Sequence, residues 1–293
     1  MRVGAVLPQL EIGAHPNGIT RYATTVERLG YQHIVAYDHV LGAHPDRAGG
    51  WRGPYTHVSL FHEPFVLFGY VAAIAPQLEL VPSVIVLPQR QTALVAKQAA
   101  EVDVLSQGKL RFGIGIGWNF VEFEALGQKF TDRGKRMEEQ IAVLRRLWTE
   151  EVVDFTGRWH RIDRAGINPL PVQRPIPIWM GGTAEPAVRR IAALGDGWLT
   201  QAQPNDEGRA AFAQFRGFVG EAGRDPERIG IEGRINARRG TPTEWIEGAR
   251  IFADMGCTHI ELNTMGAGYA TIDAHLDALA RFREGLRGAG LDR

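Results

Sequence analysis

A closed barrel of eight β/α units is the fold class predicted for this chain, on three observations. Short apolar runs alternate with segments of helical period along all 293 residues. The runs are continuous rather than polar–apolar alternating, as in parallel strands buried on both faces. Eight strand–helix pairs over this length close most economically into a barrel, since an open doubly wound sheet seldom needs so many. No linker composition, repeat or low-complexity tract interrupts the pattern, so residues 1–293 are read as one domain.

Taken in order, a strand is expected at 2–8 and a helix at 18–29, capped by Asn17. Strand 33–38 precedes helix 64–75, strand 79–87 precedes helix 92–105, and strand 109–116 precedes helix 133–148. The second half reads strand 176–181, helix 186–194, strand 197–201, helix 206–222, strand 229–236, helix 243–255, strand 258–264 and helix 272–286. Thr243, behind Pro242 and ahead of Ile246-Glu247, is expected to open the seventh helix. Gly30, Gly108, Gly195, Gly223 and Gly256 are expected to end helices in the left-handed conformation. Two stretches, 40–63 and 149–175, are too long for simple connections and read as lids or insertions.

Composition narrows the function. Lys+Arg and Asp+Glu both total 33, and this neutral balance without a basic tract gives no reason to expect nucleic acid or an anionic membrane as partner. The single cysteine, Cys257, rules out an intrachain disulfide and multi-cysteine metal sites, and its apolar setting reads as a small buried hydrophobe. No histidine pair has metal-ligand spacing, so no metal site is expected. The N-terminus lacks a signal-peptide pattern and no apolar window reaches membrane-spanning length, which points to a cytoplasmic protein.

Barrel enzymes build their sites at the C-terminal ends of the strands. The candidates here are Pro8-Gln9, Asp38-His39, Ser83-Val84, the segment Gly115-Ile116-Gly117-Trp118-Asn119, Gly181-Gly182-Thr183, Gln201, Asn236 and Asn263. Asp38-His39 is the sharpest, a carboxylate and an imidazole that can set a proton donor and an anchor over one ligand face. In isolation the pair would more often be a strand-end cap; its place at a barrel mouth reverses that preference. The run Gly113-Ile114-Gly115-Ile116-Gly117 lacks the dinucleotide spacing and reads as backbone passing close beneath another group, such as a ring. Gly181-Gly182-Thr183 suits either a phosphate at a helix N-terminus or an ordinary tight turn. No lysine nucleophile or carboxylate pair stands at the expected mouths, which argues against a cofactor-free lyase or isomerase.

As a set, these residues resemble a known family. The stretch 78–127, LELVPSVIVLPQRQTALVAKQAAEVDVLSQGKLRFGIGIGWNFVEFEALG, together with Asp38-His39 and 176–199, IPIWMGGTAEPAVRRIAALGDGWL, resembles the luciferase-like monooxygenase superfamily. The closer likeness is to its branch using coenzyme F420, a deazaflavin. The resemblance implies an α/β fold, a (β/α)₈ TIM barrel of the bacterial luciferase-like type with an insertion before strand five. It implies a deazaflavin across the mouth, contacted by Asp38, Ser83, Val84, Ile116, Gly117, Trp118, Gly181, Gly182 and Thr183. His39 would be the proton donor or acceptor. A non-prolyl cis peptide is implied at Ser83-Val84. Sugar-phosphate dehydrogenases of the branch carry a Glu base and a Trp where this chain has Trp118 and Ala43, so activity on sugar phosphates is not expected.

The expected reaction is hydride transfer between F420 and a small organic substrate, with loop 40–63 and the insertion around Trp159 forming an aromatic substrate wall. A flavin-dependent monooxygenase using reduced FMN and oxygen is the alternative on the same fold, and a non-catalytic deazaflavin carrier a third. The family likeness also implies a homodimer.

Overall fold

The computed structural model describes residues 1–291. Its nine hydrogen-bonded strands, all parallel, make eight barrel staves, because the third stave is broken in two. In chain order the staves are β1 (Arg2–Val6), β2 (His33–Ala36), β3 with β4 (Glu79–Pro82, Ile85–Val86), β5 (Phe112–Gly115), β8 (Ile178–Gly181), β9 (Gly197–Leu199), β10 (Gly230–Asn236) and β11 (His259–Asn263). The ring closes where Leu80 bridges Leu110 and β4 pairs with β5, Ile85 opposite Ile114. The break between β3 and β4 falls on Ser83-Val84, whose peptide bond is cis, as the family resemblance implied. The remaining two strands, β6 (Val153–Thr156) and β7 (Arg161–Ala165), form an antiparallel hairpin inside the expected insertion before β8.

The outer ring is α1 (Pro16–Arg28), α2 (Pro64–Ile74), α3 (Thr92–Leu105), α5 (Arg133–Thr149), α6 (Glu185–Leu194), α7 (Asp206–Glu221), α8 (Pro242–Asp254) and α9 (Ile272–Gly288). A short unexpected helix, α4 (Phe120–Ala125), precedes α5. Segment 37–63 holds no helix or strand. No helix among the described residues is long and apolar enough to cross a membrane.

Three local expectations are corrected. His15, not Asn17, caps α1, its Nδ1 accepting from Asn17 N at 3.1 Å, because the chain enters the helix at Pro16. Thr241, not Thr243, caps α8 in a reciprocal box with Glu244. Gly195 closes α6 at φ −81° rather than left-handed, because the chain runs extended into β9, whereas Gly30, Gly108, Gly223 and Gly256 have positive φ. Losing the α8 cap should be measurable: Thr241→Ala is expected to cost about 1 kcal/mol in denaturant unfolding, and an unchanged midpoint would refute the cap's role.

The lower half of the barrel interior is charged. Glu232 binds His33 Nε2 at 2.5 Å and Arg111 Nη1 at 2.5 Å, and Arg111 reaches Glu79 at 2.9 Å. Burial would raise the Glu232 carboxyl, but Arg111 and His33 together hold it well below the usual carboxylate range. Nearby, burial and then the Arg111 charge push His259 down to about 2, so its ring is neutral and packs edge-on to Trp179 at 4.9 Å. Cys257 is buried, and burial raises its thiol, as a structural cysteine requires.

Candidate active site at the barrel mouth

Above this charged layer, the C-terminal ends of the staves surround a cavity of about 310 Å³. Asp38, His39, Ser83, Val84, Ile116, Gly117, Trp118, Gly181 and Gly182 all line it, with Gln201. Thr183 does not; it lines a neighbouring groove of about 270 Å³, which shares Thr200 and Gln201 with the cavity. Among the other mouth candidates, Gln9 is fully buried between Tyr37 O and His62 N, and Asn263 bonds Tyr37 Oη and Met265 N. Asn236 turns back onto Arg238 N. None of these three faces the cavity.

Asp38 and His39 divide the two roles weighed for them. Both Asp38 oxygens are engaged, Oδ1 by Arg90 Nη2 at 2.8 Å and Oδ2 by Val86 N at 3.1 Å. Arg90 continues to Glu63 at 2.9 Å, and Glu63 caps α2 through Val66 N. Asp38 thus ties the end of β2 to β4 and to the start of α2. Burial raises its carboxyl from the ordinary aspartate value, and the Arg90 charge opposes that rise.

His39 is the chemically available member. Its Nδ1 meets Glu122 Oε1 at 3.1 Å, and Nε2 has no hydrogen-bond partner among the described residues. Glu122 is nearly sealed at 1% exposure, with Val40 N donating to Oε1 at 3.1 Å and Gln89 Nε2 to Oε2 at 3.0 Å. A carboxylate on Nδ1 selects the tautomer that carries its proton there and leaves a lone pair on Nε2. It also stabilises the ring once Nε2 takes up a proton, so the pair can cycle a proton at that one atom. The rings of Tyr55, Phe61 and Trp118 surround the imidazole at centroid distances of 4.9, 4.7 and 5.7 Å.

Glu122 was not among the expected site residues; it lies on α4 behind His39 and does not line the cavity. It was hidden because α4 was not anticipated, although Asn119-Phe120-Val121-Glu122 has the spacing of a helix N-terminus. Asn119 does cap α4, its Oδ1 accepting from Val121 N, while Glu122 points inward to His39. Arg234 was also missed. It lines the cavity from β10, paired with Glu261 below, within 3.4 Å of Ser83 Oγ and over the Tyr37 ring at 5.1 Å.

The glycine run has a different neighbour from the one expected. A Cβ on Gly115 would fall 2.5 Å from the Val84 side chain, and one on Gly113 would fall 1.9 Å from Pro82 O. These glycines let β5 close against the broken third stave and leave Val84 as an apolar cavity floor. Gly117, at φ +69°, turns the chain into the mouth. Trp159 is not part of the wall: it sits in the β6–β7 turn beneath Arg158 at 4.8 Å, and Glu139 and Thr92 anchor the turn through His160.

Residues 1–237 match the luciferase-like monooxygenase family. The chain belongs to that family. An uncharacterized protein of Mycobacterium tuberculosis is 37% identical over 210 residues, 69% of this chain and 71% of that one. The F420-dependent hydroxymycolic acid dehydrogenase of the same organism is 27% identical over 239 residues, covering 80% of this chain and 62% of its own. The FMNH(2)-dependent dimethylsulfone monooxygenase of Pseudomonas fluorescens is 29% identical over 180 residues, covering 60% and 49%. Among solved structures, the monooxygenase RslO1 from Streptomyces bottropensis superposes with TM-score 0.80 at 20% identity, covering 99% of this chain and 100% of that one. An F420-dependent secondary alcohol dehydrogenase gives 0.79 at 15% identity, covering 98% and 99%. The luciferase-like barrel is therefore the fold, and members of the family are oxidoreductases or monooxygenases that use F420 or FMN.

Proposed function

We propose that this luciferase-like protein is an F420-dependent oxidoreductase acting on a small organic substrate in the cytoplasm, with His39 giving or taking the proton that accompanies hydride transfer. The observation that carries the reading is the unpartnered Nε2 of His39 beside a cavity floored by Ser83-Val84. The residues fit a flat ring system. Val84 and Ile116 offer an apolar floor, and Ser83, Thr200, Gln201 and Arg234 offer polar edges. Gly181, Gly182 and the groove at Thr183 lead to the start of α6, where Ala184 gives no side-chain cap; Pro186 has no N–H and Ala187 N is bonded to Ala184 O, so the Glu185 N–H is the first-turn donor left for an anionic extension. The bound deazaflavin would supply or accept the hydride. Asp38 holds the floor in position through Val86, Gly117 keeps the approach free of a side chain, and His39 moves the proton at Nε2, oriented by Glu122.

FMN is the second reading, favoured by the FMNH(2)-dependent relative. Calorimetric titration of the purified protein with oxidised F420 and, separately, FMN decides between them. Micromolar or tighter binding of F420 with much weaker FMN binding is expected. Preference for FMN would move the assignment to the monooxygenases, and binding of neither would remove the redox reading. A homodimer is proposed as well, supported by the exposed Val66, Tyr70, Leu94 and Leu105 on α2 and α3; a monomer by sedimentation would overturn it.

A further inference from the structure

The rim of the mouth carries more exposed aromatic surface than its packing requires. Because Asn119 turns inward to cap α4, its neighbours Trp118 and Phe120 face outward, at 45% and 47% exposure. Trp51, reaching over from the long loop, lies nearly parallel to Trp118 at 5.8 Å and packs on Phe120 at 6.0 Å. Trp51 is itself held by a hydrogen bond from Nε1 to Tyr55 O at 2.7 Å. Trp118, His39 and Tyr55 therefore line the cavity as a contiguous aromatic wall, their rings tilted against one another. Trp118, grouped with the cofactor contacts on sequence grounds, lines the same cavity as Ser83 and Val84 and carries the exposed part of this wall.

The charged side chains that line the cavity are engaged by partners within the protein. Asp38 pairs with Arg90, which also holds Glu63, Arg234 pairs with Glu261, and Glu122, behind the wall, is occupied by His39, Val40 N and Gln89. Outside, Arg47 covers Phe120 at 5.4 Å and reaches Glu124 at 3.8 Å. No charge lining the cavity lacks a counter-charge for an anionic or cationic substrate to meet, and an unpaired ligand charge there would be desolvated without compensation. Flat apolar rings, by contrast, gain both area and oriented π contact against such a wall.

We infer that the substrate is a neutral, planar aromatic ring system, bearing a carbonyl or hydroxyl oxygen that His39 Nε2 can reach. The inference rests on the reading that the cofactor lies on the Ser83-Val84 floor and the substrate against the aromatic wall. The test compares three probes of similar size by calorimetry, each with the apoprotein and with protein saturated in F420 or FMN. They are 2-acetylnaphthalene, the saturated ketone 2-decalone and the anionic 2-naphthoate.

The expected result is binding of 2-acetylnaphthalene about tenfold tighter than either of the others, the scale of one good aromatic contact. In Trp118→Leu, which keeps apolar bulk without the π face, that preference is expected to collapse to near unity. Equal affinity for 2-decalone, tighter binding of 2-naphthoate, or an undiminished preference in Trp118→Leu would each overturn the inference. If Trp118→Leu does not fold, Trp51→Leu, which removes the support of the same wall, replaces it with the same two outcomes. Should neither cofactor bind while the aromatic preference is present in the apoprotein, the redox reading falls and the ligand class stands.

Discussion

Replacing His39 by alanine is expected to lower turnover by about 10²–10⁴-fold, the usual range for a positioned acid–base group. Cofactor affinity should change by less than about threefold, because the imidazole belongs to the aromatic wall and the proposed cofactor floor is Ser83-Val84. The measurement is kcat on the best substrate from an F420 absorbance screen, with cofactor Kd measured separately. Normal turnover in His39→Ala would exclude the role. Glu122 acts through His39 as a positioning residue, so Glu122→Gln should lose roughly ten- to a hundredfold in kcat with KM little changed. Glu122→Asp, which restores the charge, should recover part of the loss. A Glu122→Asp variant no better than Glu122→Gln would indicate that the carboxylate serves packing alone.

The second large effect lies beneath the site. Glu232 is 2% exposed and is the anionic partner shared by Arg111 and His33. Glu232→Ala leaves a buried guanidinium with Glu79 as its only carboxylate and should destabilise the chain by about 3–5 kcal/mol. The pH dependence has a definite sign. The folded-state carboxyl lies well below its ordinary value of 4.5, so its contribution is complete above that value and is lost as pH falls through and below it. Wild-type stability should therefore drop steeply on acidification below about pH 4.5, and Glu232→Gln should show a shallower acid limb. Denaturant titrations at several pH values decide this. Parallel acid limbs in the two proteins would show that Glu232 is not the group responsible.

The same charged layer bears on function. Glu261 and Arg234 sit between Glu232 and the cavity floor, and burial raises the Glu261 carboxyl while the Arg234 charge opposes the rise. A barrel stiffened from below by paired charges holds Ser83, Tyr37 and Arg234 in position at the cavity.

Periodicity and composition alone determined the eight staves, the ring of helices, the insertion before β8 and the strand ends that surround the cavity. Each of these depends on which residues prefer burial and on chain order, properties carried by neighbours in sequence. The resemblance added the cis peptide at Ser83-Val84, which the structure has, and the expectation of a deazaflavin. Helix ends at His15 and Thr241 were off by two residues, since a cap is chosen by the direction from which the chain enters.

The pairings that give the site its character were decided only by tertiary structure. Glu122 meets His39 across 83 residues and Arg90 meets Asp38 across 52. Arg234 meets Ser83 across 151. Nothing local marks these partners, because a buried charge is tolerated only where the closed barrel brings its counter-charge within hydrogen-bond reach, and that distance exists only after the ring has closed.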